Sequence, residues 1–122
     1  GTFRQGSKFF TGYARLSNVE FYHTGQEGYV EDYDPRYSLA FLSTGANTEL
    51  RPSSISRCSF HNGFSPAIGL FGATGIPVTD NVIHHTVGQG MRLAGSSHEI
   101  RRNFLTLMIW PGSYQDRSEP FN

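Results

Sequence analysis

The chain has 122 residues, and its ten Lys and Arg balance its ten Asp and Glu, so the formal net charge is zero. That balance excludes binders of nucleic acid or anionic membrane that depend on a basic surface. No apolar run approaches the roughly 20 residues of a membrane-spanning helix, and the longest, Phe104 to Trp110, suits a buried strand. Glycine (14) and aromatic residues (10 Phe, 6 Tyr, 1 Trp) are abundant, a pairing that favours strands and tight turns over helices. Cys58 is the sole cysteine, so no disulfide can form within the chain. There is also no Asn-x-Ser/Thr acceptor for N-glycosylation. Composition therefore leaves the compartment open.

Taken in chain order, the elements repeat. The first is Leu16-Ser-Asn-Val19-Glu-Phe21: an apolar residue, two polar ones, a small one, a variable one and a large apolar one. Residues 26–37 are polar and aromatic, contain Pro35, and are expected to form a loop insertion that leaves the wall of the fold. Ser38 to Leu42 then alternates apolar and small residues, the period of a half-buried strand. Ile55 to Phe60 repeats the first element, and Ala67 to Gly72 repeats the strand. Val78 to Ile83 and Gly90 to Gly95 do so again, and Ile100 to Leu105 begins a fourth round. The leading residues Leu16, Ile55, Val78 and Ile100 are 39, 23 and 22 residues apart.

A unit of about 22 residues is too short for a strand–helix–strand crossover and its return. It fits one coil of a solenoid, with short strands stacked on their equivalents in the next coil. The expected fold is all-β: a right-handed, single-stranded parallel β-helix of the pectin-lyase-like kind, about four coils long. Residues 1–122 would be part of one such domain. Phe21, Phe60, Ile83 and Leu105 should form one interior ladder, Leu39, Ile68 and Met91 a second, and Leu70 and Leu93 a third. Terminal coils of a solenoid need covers, so both ends are expected to continue, with Leu105, Leu107, Ile109 and the edge of Leu16–Phe21 beneath further coils or a neighbouring copy; Phe9 and Phe10 should expose apolar surface if the segment stood alone.

Asn81 and Asn103 lie one coil apart at the same bend, in a column with Val19 and Cys58. An asparagine ladder there would satisfy buried backbone groups, and Cys58 fits as a small buried residue. His61 and His84 share an outward column with Tyr22 and Thr106. Stacked strands are about 4.8 Å apart, so the two imidazoles could share a metal, against the simpler expectation of two surface histidines. Tyr29, Tyr33, Arg36 and Tyr37 in the loop, with Arg92 nearby, combine aromatic faces and cations suited to a sugar. The regular coils offer no acidic pair of the kind that cleaves glycans, and no cofactor motif is present. No cofactor and no nucleic-acid partner are expected.

Several runs resemble fibrocystin and fibrocystin-like proteins: Leu16 to Gly28, Asp34-Pro-Arg-Tyr37, Cys58 to Gly69, Thr86-Val-Gly-Gln-Gly90 and Trp110-Pro-Gly-Ser-Tyr-Gln115. The resemblance extends from about Tyr13 to Gln115 and is most specific at Phe64-Ser-Pro-Ala-Ile-Gly69 and Trp110-Pro-Gly112. It implies a parallel β-helix within a very large cell-surface glycoprotein with immunoglobulin-like repeats, G8 domains and usually one membrane span, associated with cilia and other surface projections. The related CEMIP-type hyaluronidases carry Tyr-Pro-(Ile/Val)-His-(Phe/Trp)-His where this chain reads Tyr37-Ser-Leu-Ala-Phe-Leu42. With neither histidine present, the resemblance implies a structural or adhesive segment at the extracellular face more than a hyaluronan-cleaving one.

Overall fold

Each apolar–polar–polar–small unit folds as two short strands around a tight bend. In the computed structural model, which describes residues 2–28 and 33–109, the first such pair is β3 (Arg15–Ser17) and β4 (Glu20–Tyr22). It recurs as β6 (Ser54–Ser56) with β7 (Ser59–His61), β9 (Pro77–Thr79) with β10 (Val82–Val87), and β12 (Glu99–Arg101) with β13 (Phe104–Ile109). The strands between them are β5 (Leu39–Ala46), β8 (Ile68–Thr74) and β11 (Met91–Leu93).

These strands stack into three parallel sheets, in the orders β12-β9-β6-β3, β13-β10-β7-β4 and β11-β8-β5. The arrangement is a parallel β-helix with three faces, and no helix occurs among the described residues. The expected ladders are present. Phe60 pairs in register with Phe21 on one side and Ile83 on the other, and Ile83 pairs with Leu105. Ile68 lies between Leu39 and Met91, and Leu70 between Phe41 and Leu93. Phe60, Ile68, Leu70, Val78 and Ile83 are buried in one continuous core. The Phe21 and Phe60 rings stack 4.5 Å apart and 5° from parallel. Leu105 holds its register at the last described coil but is 39% exposed.

The corners share one backbone device. Asn18, Arg57, Asp80 and Arg102 occupy one column and all have left-handed φ, between 51° and 59°. His23, Asn62, His85 and Leu107 form a second such column, and Ser43, Gly72 and Gly95 a third. A left-handed conformation costs an L-residue about 1–2 kcal/mol. It persists because each bend bonds to the coil beneath. Arg57 N donates to Thr79 O at 3.1 Å, Asp80 N to Arg101 O at 3.0 Å, and Asn62 N to His84 O at 3.1 Å. At the third corner His98 Nδ1 accepts the buried Ile76 N–H at 3.0 Å, while Nε2 donates to Ala94 O at 2.9 Å. Those two bonds require the neutral ring with its hydrogen on Nε2.

The first corner also carries alternating charge. Arg102 grips Asp80 with two bonds, of 2.7 and 3.1 Å. Those bonds, helped by the positive charge of Arg102, Arg57 and Arg101 against a desolvation cost, hold the Asp80 carboxyl below its ordinary value. A depressed folded-state value gives stability that is present above the unfolded value and lost as pH falls through the folded one. Asp80→Asn should therefore lower the melting temperature slightly at neutral pH. The gap to the parent should close in acid below the usual Asp range of about pH 3.9 and shrink in high salt, because the pair is exposed. Thermal melts of both proteins across that range check it.

One element lies outside the repeat. β1 (Thr2–Gln5) and β2 (Lys8–Thr11) form an antiparallel hairpin around Gly6-Ser7, with Gly6 at φ 62°. A two-residue turn with glycine first between two β-prone runs is its signature in the sequence. The side chains of Phe9 and Phe10, expected to add exposed apolar surface, fall outside the described residues.

Candidate functional site

The asparagine ladder forms at the first bend. Asn81 is 1% exposed. Its Oδ1 accepts the Cys58 N–H at 2.9 Å, and its Nδ2 donates to Ile55 O at 3.2 Å and Asn103 Oδ1 at 2.9 Å. Asn103 Oδ1 also accepts the Asn81 N–H at 3.0 Å, and Asn103 Nδ2 donates to Val78 O at 2.8 Å. Cys58 continues the column as a buried thiol whose Sγ is 3.4 Å from Ser56 O. These residues join coil to coil; their polar atoms are used within the protein.

The loop between β4 and β5 behaves differently from the expectation that it leaves the wall. Its second described part, residues 33–38, lies on the outer face of the third sheet. Ala40, Gly69 and Arg92 form one outward column of that sheet and Leu42 and Phe71 the next. Tyr37 is 4% exposed because its ring lies over Gly69, where a Cβ would meet Tyr37 Cδ2 and Phe71 Cε2. Tyr37 contacts Phe71 edge-on, with ring centroids 5.9 Å apart, and Tyr33 lies against Phe71 at 5.5 Å. An apolar residue pointing outward from a β-helix needs a cover, and the loop supplies it. Tyr37 thus has no free ring face for a sugar, contrary to its assignment to a binding surface.

The loop is pinned by Asp34, which is 1% exposed. Asp34 Oδ1 accepts the Arg36 N–H at 2.8 Å and Nε–H at 2.9 Å, and Oδ2 accepts from the guanidinium at 2.9 Å. The same carboxylate raises the Arg36 guanidinium above its ordinary value. Arg36 O in turn accepts from Gln26 N at 2.8 Å and from the Ser65 hydroxyl at 2.9 Å. Tyr33 is 54% exposed, and Arg92 sits in register beside Gly69, one coil from the Tyr37 ring. Tyr29 lies outside the described residues. Of the five residues assigned to a sugar surface, the fold therefore gathers Tyr33, Arg36, Tyr37 and Arg92 on one face, with Tyr37 and the Arg36 head engaged in holding it.

Gly69→Ala should displace Tyr37 and loosen the loop while the inner ladders keep their register. Limited proteolysis should then cut within residues 26–37 at least several times faster than in the parent, with a stability loss of about 1–3 kcal/mol from overpacking. Equal cleavage rates would count against the loop being held by the Tyr37–Gly69 contact.

On the second sheet His84 stands beside His61 in register, as expected. Their rings turn to other partners. His61 Nε2 is 2.8 Å from Glu20 Oε2, and its ring is tilted against Tyr22 at 4.8 Å. His84 meets His85 edge-on at 6.1 Å. Among the described residues no three His, Cys, Asp or Glu side chains come together where a metal could be held. No helix of the described residues is long and apolar enough to cross a membrane.

A cavity near the amino-terminal coil has no counterpart in the sequence motifs. It measures about 300 Å³ and lies where the hairpin exit, the end of β5 and the 47–53 turn meet, lined among others by Tyr13, Thr44 and Arg51.

Residues 5–108 match the sequence model of the CEMIP β-helix family. Human fibrocystin-L (Homo sapiens) is 50% identical over 119 residues, which cover 98% of this chain and 3% of that protein. Mouse fibrocystin-L (Mus musculus) is 47% identical over the same length, again 98% and 3%. Dog fibrocystin (Canis lupus familiaris) is 32% identical over 109 residues, 88% of this chain and 2% of that protein. The chain thus spans about 3% of the length of the first of these curated relatives. No solved structure matches the chain at the level required of a relative. The three-sheet solenoid, its asparagine ladder and the match over residues 5–108 agree: this chain belongs to the CEMIP β-helix family.

Proposed function

We propose that this chain is a structural or adhesive, non-catalytic β-helix segment of a large fibrocystin-like protein at the cell surface, cilia included. The disposition of the carboxylates carries this reading. Glycan hydrolysis by a β-helix needs two carboxyl groups across the scissile bond, one with a raised pKa. Here Glu20 engages His61, Asp34 and Arg36 pair within the loop, Asp80 and Arg102 pair at the first corner, and Glu99 pairs with Arg101. Asp80 is held down, the reverse of what a general acid requires. Its natural partners would be further coils and other domains of the same polypeptide. Ile100, Leu105 and Leu107 on the last described coil are 40%, 39% and 55% exposed, a surface such a coil would cover.

The family match favours one alternative, a glycan-binding or glycan-cleaving β-helix akin to the CEMIP-type hyaluronidases. Incubation with size-defined hyaluronan and other extracellular glycans separates the two. The structural reading expects unchanged glycan length. Turnover by the parent protein that disappears on mutating residues of this segment would overturn it.

A further inference from the structure

We propose that His98 is a pH-sensitive latch between the third and fourth coils: its neutral ring clamps the start of β12 onto the coil beneath, and protonation of that ring releases it. This goes beyond the structural role above, because it makes one joint of the solenoid responsive to mild acid.

The latch answers a need that recurs from coil to coil. Ala14, Ser53, Ile76 and His98 form one column, each two residues ahead of the first-sheet ladder of Leu16, Ile55, Val78 and Ile100. The last three lie where the chain turns from the third sheet into the first. A buried N–H at such a turn must find an acceptor, and here side chains supply it. Ala14 N donates to the Ser53 hydroxyl at 3.1 Å, Ser53 N to Asn47 Oδ1 at 2.6 Å, and Ile76 N to His98 Nδ1 at 3.0 Å. A hydroxyl and an amide remain acceptors at any ordinary pH. Of the three, only the imidazole can lose its lone pair to a proton between about pH 5 and 8.

Both ring nitrogens are committed. Nε2 lies 2.9 Å from Ala94 O, which can only accept, so Nε2 carries the hydrogen and Nδ1 the lone pair. Close packing holds the ring in place. Gly95 has φ of 101°, and a Cβ there would meet both Ala73 O and His98 Nε2. A proton on Nδ1 would set two donors face to face. Ile76 is 1% exposed, so its N–H would be left buried and unpaired. The other attachments at this corner are few. Gly75 N donates to Ser96 O at 3.1 Å and Glu99 N to Ile76 O at 3.3 Å. β12 pairs with β9 over three residues, all of them exposed on β12.

The charges around the corner do not compensate. β8 and β9, in the coil beneath, carry no charged residue. β11 and β12 carry Arg92, Glu99 and Arg101, and Glu99 is paired with Arg101 at 2.6 Å. The 47–53 turn reaches the corner through Asn47, which bonds Gly75 O at 3.1 Å; its charged residues are Glu49 and Arg51. His23, His61, His84 and His85 lie on the second sheet or at its corners. Among the described residues no carboxylate bonds the His98 ring. The Ile76 bond therefore contributes while the ring is neutral, and its contribution is lost as pH falls through the histidine range.

The test follows the Ile76 amide of the full chain by hydrogen exchange between about pH 7.5 and 5.5, each rate divided into the unfolded-chain rate at that pH. Long-range nitrogen–proton NMR spectra report the His98 tautomer and its titration. At the upper pH His98 should carry its hydrogen on Nε2. As the ring protonates, protection of Ile76 should fall about tenfold or more. The Cys58 amide, bonded to Asn81 Oδ1, should keep its protection. His98→Asn places a non-titrating Oδ1 where Nδ1 stood, as Asn47 does for Ser53, and should abolish the pH dependence. His98→Leu should leave Ile76 poorly protected at both ends of the range. Constant protection of Ile76 while His98 titrates overturns the proposal. So does a hydrogen on Nδ1 at the upper pH, a ring still neutral at the lower one, or the same fall in His98→Asn.

Discussion

Replacing Asn81 with leucine should destabilise the chain by about 3–5 kcal/mol, one of the two largest effects expected of any single substitution here. Leucine shares the branched skeleton of asparagine but is bulkier, so lost hydrogen bonds and overpacking both contribute. The Cys58 N–H loses its acceptor and Ile55 O loses a donor, both at a buried bend. Asn103 loses the Nδ2 bond that fixes its own amide. Each buried backbone group left unpaired costs about 1–3 kcal/mol, and the losses couple because they share one network. Urea denaturation followed by circular dichroism measures the change. A loss below about 1 kcal/mol would mean that the ladder is ornamental and the bends hold without it. Asn103 lies at the last described coil and is partly buried, so Asn103→Leu should cost less than Asn81→Leu.

Phe60→Ala should cost about 3–5 kcal/mol by a different route, the cavity left by a large core side chain. Phe60 is 1% exposed, stacked on Phe21 and in register with Ile83. It is central to a ladder with coils on either side, so neighbouring rings cannot collapse into the gap without shifting a strand. Phe21→Ala should cost distinctly less, because Phe21 sits in the first coil and is only partly buried. A gradient from centre to end is what a solenoid predicts, since each coil contacts only its neighbours. Equal costs at positions 21 and 60 would point instead to a closed core. Denaturant midpoints for the two variants decide between them.

What could be read from the sequence follows from what repeats. The columns through Phe60, Ile83 and Leu105, and through Asn81 and Asn103, are visible because equivalent positions recur at 22 or 23 residues. One face must be apolar in every coil, so the pattern and the register are the same information. The loop was harder. The alternation that places Leu70 inside also puts Phe71 outside, but nothing in the sequence says what covers that ring. An outward Phe needs a lid, which is why Tyr37 is buried and not displayed. The Tyr13 cavity leaves no trace in any motif. Arg15 and Arg51 meet at one ring because of a 39-residue first coil and a bulge in β5, and neither feature has a sequence period. The same is true of the Asp34–Arg36 clamp: its residues are two apart in sequence, but the burial of Asp34 depends on the sheet beneath.

The stacked coil is the claim on which everything else rests, and nuclear Overhauser contacts between residues one coil apart test it most directly. The Ile83 methyls should show contacts to the Phe60 ring and to Leu105, and the Phe60 ring should show contacts to Phe21. Backbone contacts should follow the parallel register Ser59–Val82, Phe60–Ile83 and His61–His84. An antiparallel contact pattern across these segments, or Phe60 and Ile83 on opposite faces of a sheet, would contradict the account.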